Sequence, residues 1–272
     1  MQEPSNGAAR RQFLKQAATA TAGIIIVPRF VLGGRGYTAP SDQLVVASVG
    51  VGGKGESDIA AFAKTGKARI AYLCDVDDAR AAKTRAAFPK AEYYKDWRKL
   101  FDKEAKHFDA VSVSTPDHNH ANVALAAMQR GKHVYVQKPL THDIYEARML
   151  TEAAQRHKVV TQMGNQGASN DGVRQLREWY DAGLLGNVHT VYCWTDRPVW
   201  PQGIAWPSTP AAIPSTLDWD LWLGTAPQRN YVDKLVPFNW RGWWDYGTGA
   251  LGDMGCHLVE APFRVLNLQY PT

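Results

Sequence analysis

Leu44-Val45-Val46-Ala47-Ser48-Val49-Gly50-Val51-Gly52-Gly53-Lys54-Gly55 is the stretch on which the fold turns. Leu44–Val51 is a short β-branched run and reads as a strand, and Gly53–Thr65 reads as a helix. The join between them is G-x-G-x-x-G. In that setting Gly50 permits the tight turn, Gly52 lets a pyrophosphate approach the backbone, and Gly55 lets helix and strand pack closely. With Gly53 they form a bare loop at a helix N-terminus, whose free N–H groups and partial positive charge suit phosphate. Alone, the motif also fits a plain glycine-rich turn. The second strand, Arg69–Asp75, strengthens it, because Asp75 stands 25 residues after Gly50, where a dinucleotide fold places an acid on the adenosine ribose. An aspartate there accepts the 2′-hydroxyl and repels a 2′-phosphate, so NAD is expected in preference to NADP. Val76, Asp77 and Asp78 offer no base for a phosphate, and Arg80 is the first candidate after them.

Strand and helix keep alternating outward from this unit. Asp77–Ala87 reads as a helix, Glu92–Lys95 as a very short strand, Asp96–His107 as a helix and Asp109–Ser114 as a fourth strand. His118–Arg130 is an Ala-rich helix ended by Gly131, His133–Gln137 a fifth strand, Asp143–His157 a helix and Val159–Gly164 a sixth strand. This order predicts an α/β fold with a doubly wound parallel sheet, covered by helices on both faces. After residue 165 the character changes. A helix over Gly172–Ala182 and a strand over Val188–Trp194 precede a Pro- and Trp-rich stretch from Arg197 to Pro237. Eight of the ten tryptophans lie at or after Trp194, so the aromatic weight falls outside the nucleotide-binding half. The expected division is a leader over 1–36, a nucleotide-binding domain over 37–165 and a second domain over 166–272. At about 107 residues and rich in loops, that last part reads as incomplete against the usual domain size.

The counts bound the function. The chain has 272 residues, 45% apolar and 21% charged, which excludes a mostly disordered, collagen-like or coiled-coil protein. A net charge of +5 would suggest nucleic acid if it were spread over the fold. Residues 1–36 hold Arg10, Arg11, Lys15, Arg29 and Arg35 against Glu3 alone, and residues 37–272 hold 26 basic and 25 acidic side chains. The body is nearly neutral, and no nucleic-acid partner is expected. Arg10-Arg11-Gln12-Phe13-Leu14-Lys15 followed by a mild apolar stretch, Ala17 to Val27, has the pattern of a twin-arginine export signal. The apolar stretch is too short to span a membrane, and no cysteine precedes Cys74 to carry a lipid anchor. A basic amphipathic helix is the competing reading. A periplasmic or exported protein is expected, handled by the twin-arginine machinery. Cys74, Cys193 and Cys256 form neither a disulfide framework nor a zinc motif, although one Cys193–Cys256 bridge stays open, and no metal is expected.

Chemistry gathers at the strand ends. The fourth strand runs into Ser114-Thr115-Pro116-Asp117-His118-Asn119-His120 and the fifth into Gln137-Lys138-Pro139-Leu140. In a doubly wound sheet both are aimed at the crevice beyond the carboxyl ends of the strands. Far along the chain, Asp253 and His257 are four apart in Gly247-Thr248-Gly249-Ala250-Leu251-Gly252-Asp253-Met254-Gly255-Cys256-His257, and on a helix they share a face. Taken singly, a capping Asp253, a core-edge His257 and a solvated Lys138 are each the plainer reading. Together with the glycine loop they point to catalysis.

On these residues the chain resembles the Gfo/Idh/MocA family of oxidoreductases over roughly residues 43 to 268. The resemblance rests on the glycine loop, Thr115-Pro116 with His120, Lys138-Pro139 and Asp253-x-x-x-His257. Trp219-Asp220-Leu221-Trp222-Leu223-Gly224 and the run from Trp240 to Asp245 look like the exported, sugar-active branch. It implies an N-terminal Rossmann domain and a C-terminal α/β domain with a mostly antiparallel sheet. It also implies a nicotinamide cofactor held by Gly50, Gly52, Gly53, Gly55, Asp75, Thr115, Pro116, His120, Gln137 and Lys138. Lys138, Asp253 and His257 become the catalytic set. His257 would take the alcohol proton, since histidine titrates near neutrality. Asp253 would bond the substrate or orient His257, and Lys138 would hydrogen-bond the reacting oxygen. The family usually has Glu-Lys-Pro where this chain has Gln137-Lys138-Pro139, which removes a charge beside the lysine.

Sugar rings present apolar C–H faces that pack on aromatic planes, and one or two of Trp200, Trp206, Trp240 and Trp243 are expected at substrate. Asn165 and Gln166, after the sixth strand, are placed to reach a cofactor or a sugar hydroxyl, or to serve as turn residues. The expected activity is an NAD-dependent dehydrogenase for a secondary alcohol of a sugar, polyol or sugar derivative, in a homo-oligomer. The alternatives are a glycoside hydrolase or lyase that recycles its NAD by transient oxidation, and a non-catalytic sugar-binding protein.

Overall fold

β1 (Leu44–Val49) is a strand because both of its faces are apolar and both are covered. Ala47 and Val49 turn into one core with Val111, Val113, Leu100, Phe101 and Met128, and Val46 turns into another with Ile59, Ile70 and Leu73. Burying a large apolar side chain in this way contributes about 1.5–3 kcal/mol. The computed structural model describes residue 39, residues 42–197 and residues 199–269; the export-type leader expected over 1–36 lies outside the described residues. The chain divides after Gln43, and Leu44–Thr272 form one compact unit.

The sheet adds β2 (Ala68–Cys74), β3 (Glu92–Tyr94), β4 (Ala110–Val113), β5 (His133–Gln137) and β6 (Thr161–Gly164) in the order β3-β2-β1-β4-β5-β6. Every neighbouring pair is parallel. The crossovers are α1 (Lys54–Lys64), α2 (Asp78–Ala87), α3 (Trp97–Glu104), α4 (His120–Gln129) and α5 (Ile144–His157). Asp77 and Asp96 cap α2 and α3, and α5 opens with a capping box in which Asp143 and Glu146 satisfy each other's backbone N–H. The strand order reverses between β1 and β4, so loops leave these two strands in opposite directions and open a crevice beyond their ends.

Beyond β6 come α6 (Asp171–Asp181), α7 (Trp219–Leu223), α8 (Gly249–Leu258) and α9 (Glu260–Val265). Trp219, Trp222, Leu223, Tyr231, Leu235, Trp240 and Tyr246 make a third core, with Trp219 and Trp222 stacked at 4.9 Å. The Trp-rich stretch is thus largely packing. It is fastened to the sheet by backbone bonds, Asp218 N to Val76 O at 2.9 Å and Asp78 N to Thr216 O at 3.0 Å. The strand expected over Val188–Trp194 does not form. A strand persists by exchanging backbone hydrogen bonds with a neighbour, and no strand follows Gly164 among the described residues. Val191, Tyr192 and Trp194 are exposed there. Cys74, Cys193 and Cys256 are all free thiols, so the open Cys193–Cys256 bridge is not made.

Two glycines differ sharply in what they tolerate. A Cβ on Gly55 would fall on the carbonyl oxygen of Gly50, backbone against backbone, whereas one on Gly172 in α6 would meet nothing within 4 Å. Gly55→Ala should therefore cost about 3 kcal/mol or more, and Gly172→Ala should stabilise by roughly 0.5 kcal/mol. Urea midpoints of the two variants check this; equal shifts would refute the packing of the loop.

Candidate active site at the switch point of the sheet

The crevice holds a cavity of about 510 Å³, bordered on one side by the glycine loop and on the other by the ends of β4 and β5. Gly50 has φ +78°, and a Cβ there would lie 2.6 Å from the Ser114 carbonyl, so β1 and β4 approach too closely for any side chain. Gly50, Gly52 and Gly53 line the cavity, and Gly55 packs behind them. The Asp75 carboxylate turns back onto the loop, accepting from Val51 N at 2.8 Å, Gly52 N at 3.1 Å and Asp77 N at 3.0 Å. Burial pushes its carboxyl up, and those donors oppose the shift. Arg80 lies over the loop, its guanidinium 2.6 Å from where a Gly53 Cβ would stand.

These residues fit a dinucleotide. The loop is bare backbone because side chains at Gly50 and Gly52 would collide with their neighbours, and α1 begins without a side-chain cap, leaving its end open to phosphate. Asp75 stands at the cavity edge with one acceptor site left for a ribose hydroxyl.

Across the cavity, Thr115, Pro116, His120, Gln137 and Lys138 all line the wall. His120 is 1% exposed, with one ring nitrogen 2.8 Å from Thr115 O and the other 2.7 Å from Pro139 O. It braces the loops after β4 and β5 against each other. The Lys138 ammonium donates to Asp253 Oδ1 at 2.8 Å and to Asp253 O at 2.9 Å, and Arg241 Nε reaches the same carboxylate oxygen at 3.2 Å. Asp253 therefore holds Lys138 and Arg241, and it makes no hydrogen bond to His257, one of the two roles that the resemblance implied for it.

Three ties fix α8, which carries Asp253 and His257. Lys138 holds its middle, Asp117 accepts from Thr248 N and Oγ1 at its start, and Asn165 Nδ2 donates to Cys256 O at 2.7 Å. Burial pushes the Asp117 carboxyl up. Asn165 is thus a support for the residue before His257. The His257 ring is partly buried, lies one helical turn beyond Asp253 and outside the cavity lining, and has no hydrogen-bond partner among the described residues. Burial, then the nearby Lys138 charge, lowers its pKa. It stays neutral near pH 7 and able to accept a proton.

Trp240 lines the cavity, with its Nε1 on Pro237 O at 3.1 Å and the Arg241 guanidinium 4.3 Å from its ring centre. Trp200 is buried against Phe238, and Trp206 and Trp243 meet edge to face at 5.4 Å away from the cavity lining. Gln166 is exposed and outside the lining. Sequence reasoning passed over Arg241, Asp117 and Asp58. Arg241 sits inside the quoted Trp240–Asp245 run and Asp117 inside the quoted loop, but neither has a spacing that signals its partner.

Residues 44–165 match the family model described as "Oxidoreductase family, NAD-binding Rossmann fold", and residues 170–268 match its companion, "Oxidoreductase family, C-terminal alpha/beta domain". Among relatives, the chain is similar to levoglucosan dehydrogenase of Pseudarthrobacter phenanthrenivorans, 23% identical over 69% of this chain and 40% of that protein. It is also similar to glycosyl hydrolase family 109 protein 1 of Shewanella sp., 30% identical over 54% of this chain and 37% of that protein. The chain thus spans 40% or less of the length of these two relatives. Among solved structures, the WlbA dehydrogenase of Bordetella pertussis in complex with NADH and UDP-GlcNAcA shares the fold, with a TM-score of 0.61 and 20% identity over 82% of this chain and 55% of that one.

His118 tests how the loop after β4 is seated. Its Nδ1 lies 3.2 Å from Tyr246 O, and its Nε2 lies 3.1 Å from Trp222 O and 3.0 Å from Asn119 Nδ2. Burial lowers its pKa to about 4. The unfolded chain binds this proton more readily, so the contribution is intact above about pH 6.5 and is lost as pH falls from there toward 4. Denaturant titrations at pH 7.5 and 4.5 should show about 2 kcal/mol more acid loss in the wild type than in His118→Gln. Equal acid loss would refute the neutral, buried histidine.

Proposed function

The chain belongs to the Gfo/Idh/MocA oxidoreductase family, and from that premise we propose that it oxidises or reduces a secondary alcohol of a sugar, polyol or sugar derivative with NAD. The observation that carries this reading is the Lys138 ammonium, set in the cavity wall and aimed by a buried Asp253, with His257 one helical turn further on. Bound NAD supplies a hydride acceptor at its nicotinamide. Lys138 donates a hydrogen bond to the reacting oxygen and stabilises the negative charge that develops there. His257, kept neutral by burial and by Lys138, takes the alcohol proton. Asp253 keeps Lys138 in place, and Arg241 secures Asp253 from the other side. Asp75 accepts a ribose hydroxyl and disfavours a 2′-phosphate. Trp240 offers an aromatic plane to a sugar face.

A panel of sugars and polyols, read at the nicotinamide absorbance, tests this. Lys138→Met should lower kcat by about a hundredfold or more while the Kd for NAD changes by less than about threefold. Turnover unchanged in both Lys138→Met and His257→Ala would overturn the site. The relative named as a glycosyl hydrolase favours a second reading, in which retained NAD is recycled during glycoside cleavage. Release of aglycone from an aryl glycoside without added NAD would support it, and no release would count against it.

The same proposal includes export. Arg10-Arg11 and the apolar Ala17–Val27 stretch support twin-arginine export to the periplasm, and the exposed apolar side chains of Val191, Tyr192 and Trp194 support a homo-oligomer. Replacing Arg10 and Arg11 by lysine should retain the protein in the cytoplasm on cell fractionation; unchanged periplasmic recovery would remove the export reading.

A further inference from the structure

Asp58 carries a buried carboxylate that neither the glycine loop nor the Lys138 pair accounts for. It lies on α1 one turn beyond Gly55 and is 5% exposed. A carboxylate is costly to bury unless donors surround it, and its donors come from the ends of three elements. Lys54, beside the glycine loop, forms an ion pair with Oδ1. Ser114, at the end of β4, donates to Oδ2 at 3.3 Å, and Gln137, at the end of β5, donates to the same oxygen at 2.7 Å. All three donors line the cavity and Asp58 stands directly behind them.

The Gln137 amide is oriented at both ends. Its Nε2 faces an acceptor, and its Oε1 accepts from Lys138 N at 3.3 Å. Gly164 packs against it so tightly that a Cβ there would lie 2.7 Å from Nε2. A glutamate at 137 would set two acceptors against each other at that spot, so the amide is the complement that Asp58 requires. The departure from Glu-Lys-Pro then has a physical reason: the carboxylate stands at 58 and the amide at 137.

We propose that Asp58 is a positioning residue which, through Gln137, sets the Lys138 backbone and supplies a fixed negative charge behind the nicotinamide end of the crevice. The inference rests on the NAD reading above. With the adenosine end at Asp75 and the pyrophosphate at α1, the far end of a bound dinucleotide would run toward Ser114 and Gln137 at the ends of β4 and β5, the residues that donate to Asp58. The oxidised nicotinamide carries a positive charge that the reduced ring lacks, so Asp58 favours NAD+ over NADH. Lys54, paired with Oδ1, offsets part of this charge, and the Oδ2 side that faces Ser114 and Gln137 carries the remainder.

The test is the ratio of Kd for NAD+ to Kd for NADH in the purified full chain. Both forms share every phosphate and ribose contact, so the ratio isolates the charge at the nicotinamide, which a merely structural role would not move. Asp58→Asn should raise it by roughly threefold to tenfold. Gln137→Glu should lose more than tenfold in kcat, and the double variant Asp58→Asn with Gln137→Glu should recover most of that loss and return the ratio to within about twofold of wild type. A folded Asp58→Asn protein with an unchanged ratio overturns the proposal. If that variant does not fold, the pair decides: a double variant no better than Gln137→Glu alone also overturns it. Wild-type protein that binds neither NAD+ nor NADH would instead refute the cofactor reading itself.

Discussion

The buried ion pair between Lys138 and Asp253 is the constraint on which the rest depends. Its partners are 115 residues apart in the chain and both are largely removed from solvent. An unpaired charge in that position would cost several kcal/mol, so the nucleotide-binding sheet cannot seat Lys138 without α8, and α8 cannot seat Asp253 without the loop after β5. Arg241 completes the arrangement by sharing the carboxylate. Two cations on one carboxylate leave a positive bias at the cavity wall, where the proposed alcohol oxidation would develop negative charge on oxygen.

Around that pair the supporting bonds serve one end, to hold α8 against the ends of β4 and β5. Asp117 takes the start of the helix, Asn165 takes its later carbonyl, and His120 locks the two loops together. The tryptophan-rich core does the same on a larger scale, packing Trp222 and Tyr246 against His118 at 5.2 and 5.4 Å. The cavity wall includes backbone at the glycine loop, Lys138 and Trp240. Those are the surfaces that phosphate, alcohol oxygen and sugar ring respectively can use.

The nucleotide half was legible because its signals are local. The G-x-G-x-x-G pattern follows one strand and opens the next helix, so it can be read from chain order alone even though Gly50 also answers Ser114 on β4 and Gly52 answers Arg80 on α2, and Asp75 stands at a spacing that the fold dictates. Lys138, Asp253 and His257 were legible as residue types. Their pairing was not, since which carboxylate meets which cation is decided by packing between distant segments. His120 lines the cavity as expected of a cofactor residue, but the two carbonyl oxygens its ring meets come from loops that the sequence does not pair. Asp58 gave no signal, being an ordinary polar residue on a surface-like helix face until β4 and β5 close over it. Val188–Trp194 failed for the opposite reason: its β-branched pattern is strong, but a strand is a relation between two segments and none lies beside it among the described residues.

The central claim is that the switch-point crevice of this chain is built for NAD. Mass spectrometry of small molecules released from natively purified protein, with NAD binding followed by quenching of tryptophan fluorescence, tests it most directly. NAD is expected in the released fraction, or saturable binding of added NAD that exceeds binding of NADP by about tenfold or more. Release of NADP, or no binding of either nucleotide by folded protein, would contradict it.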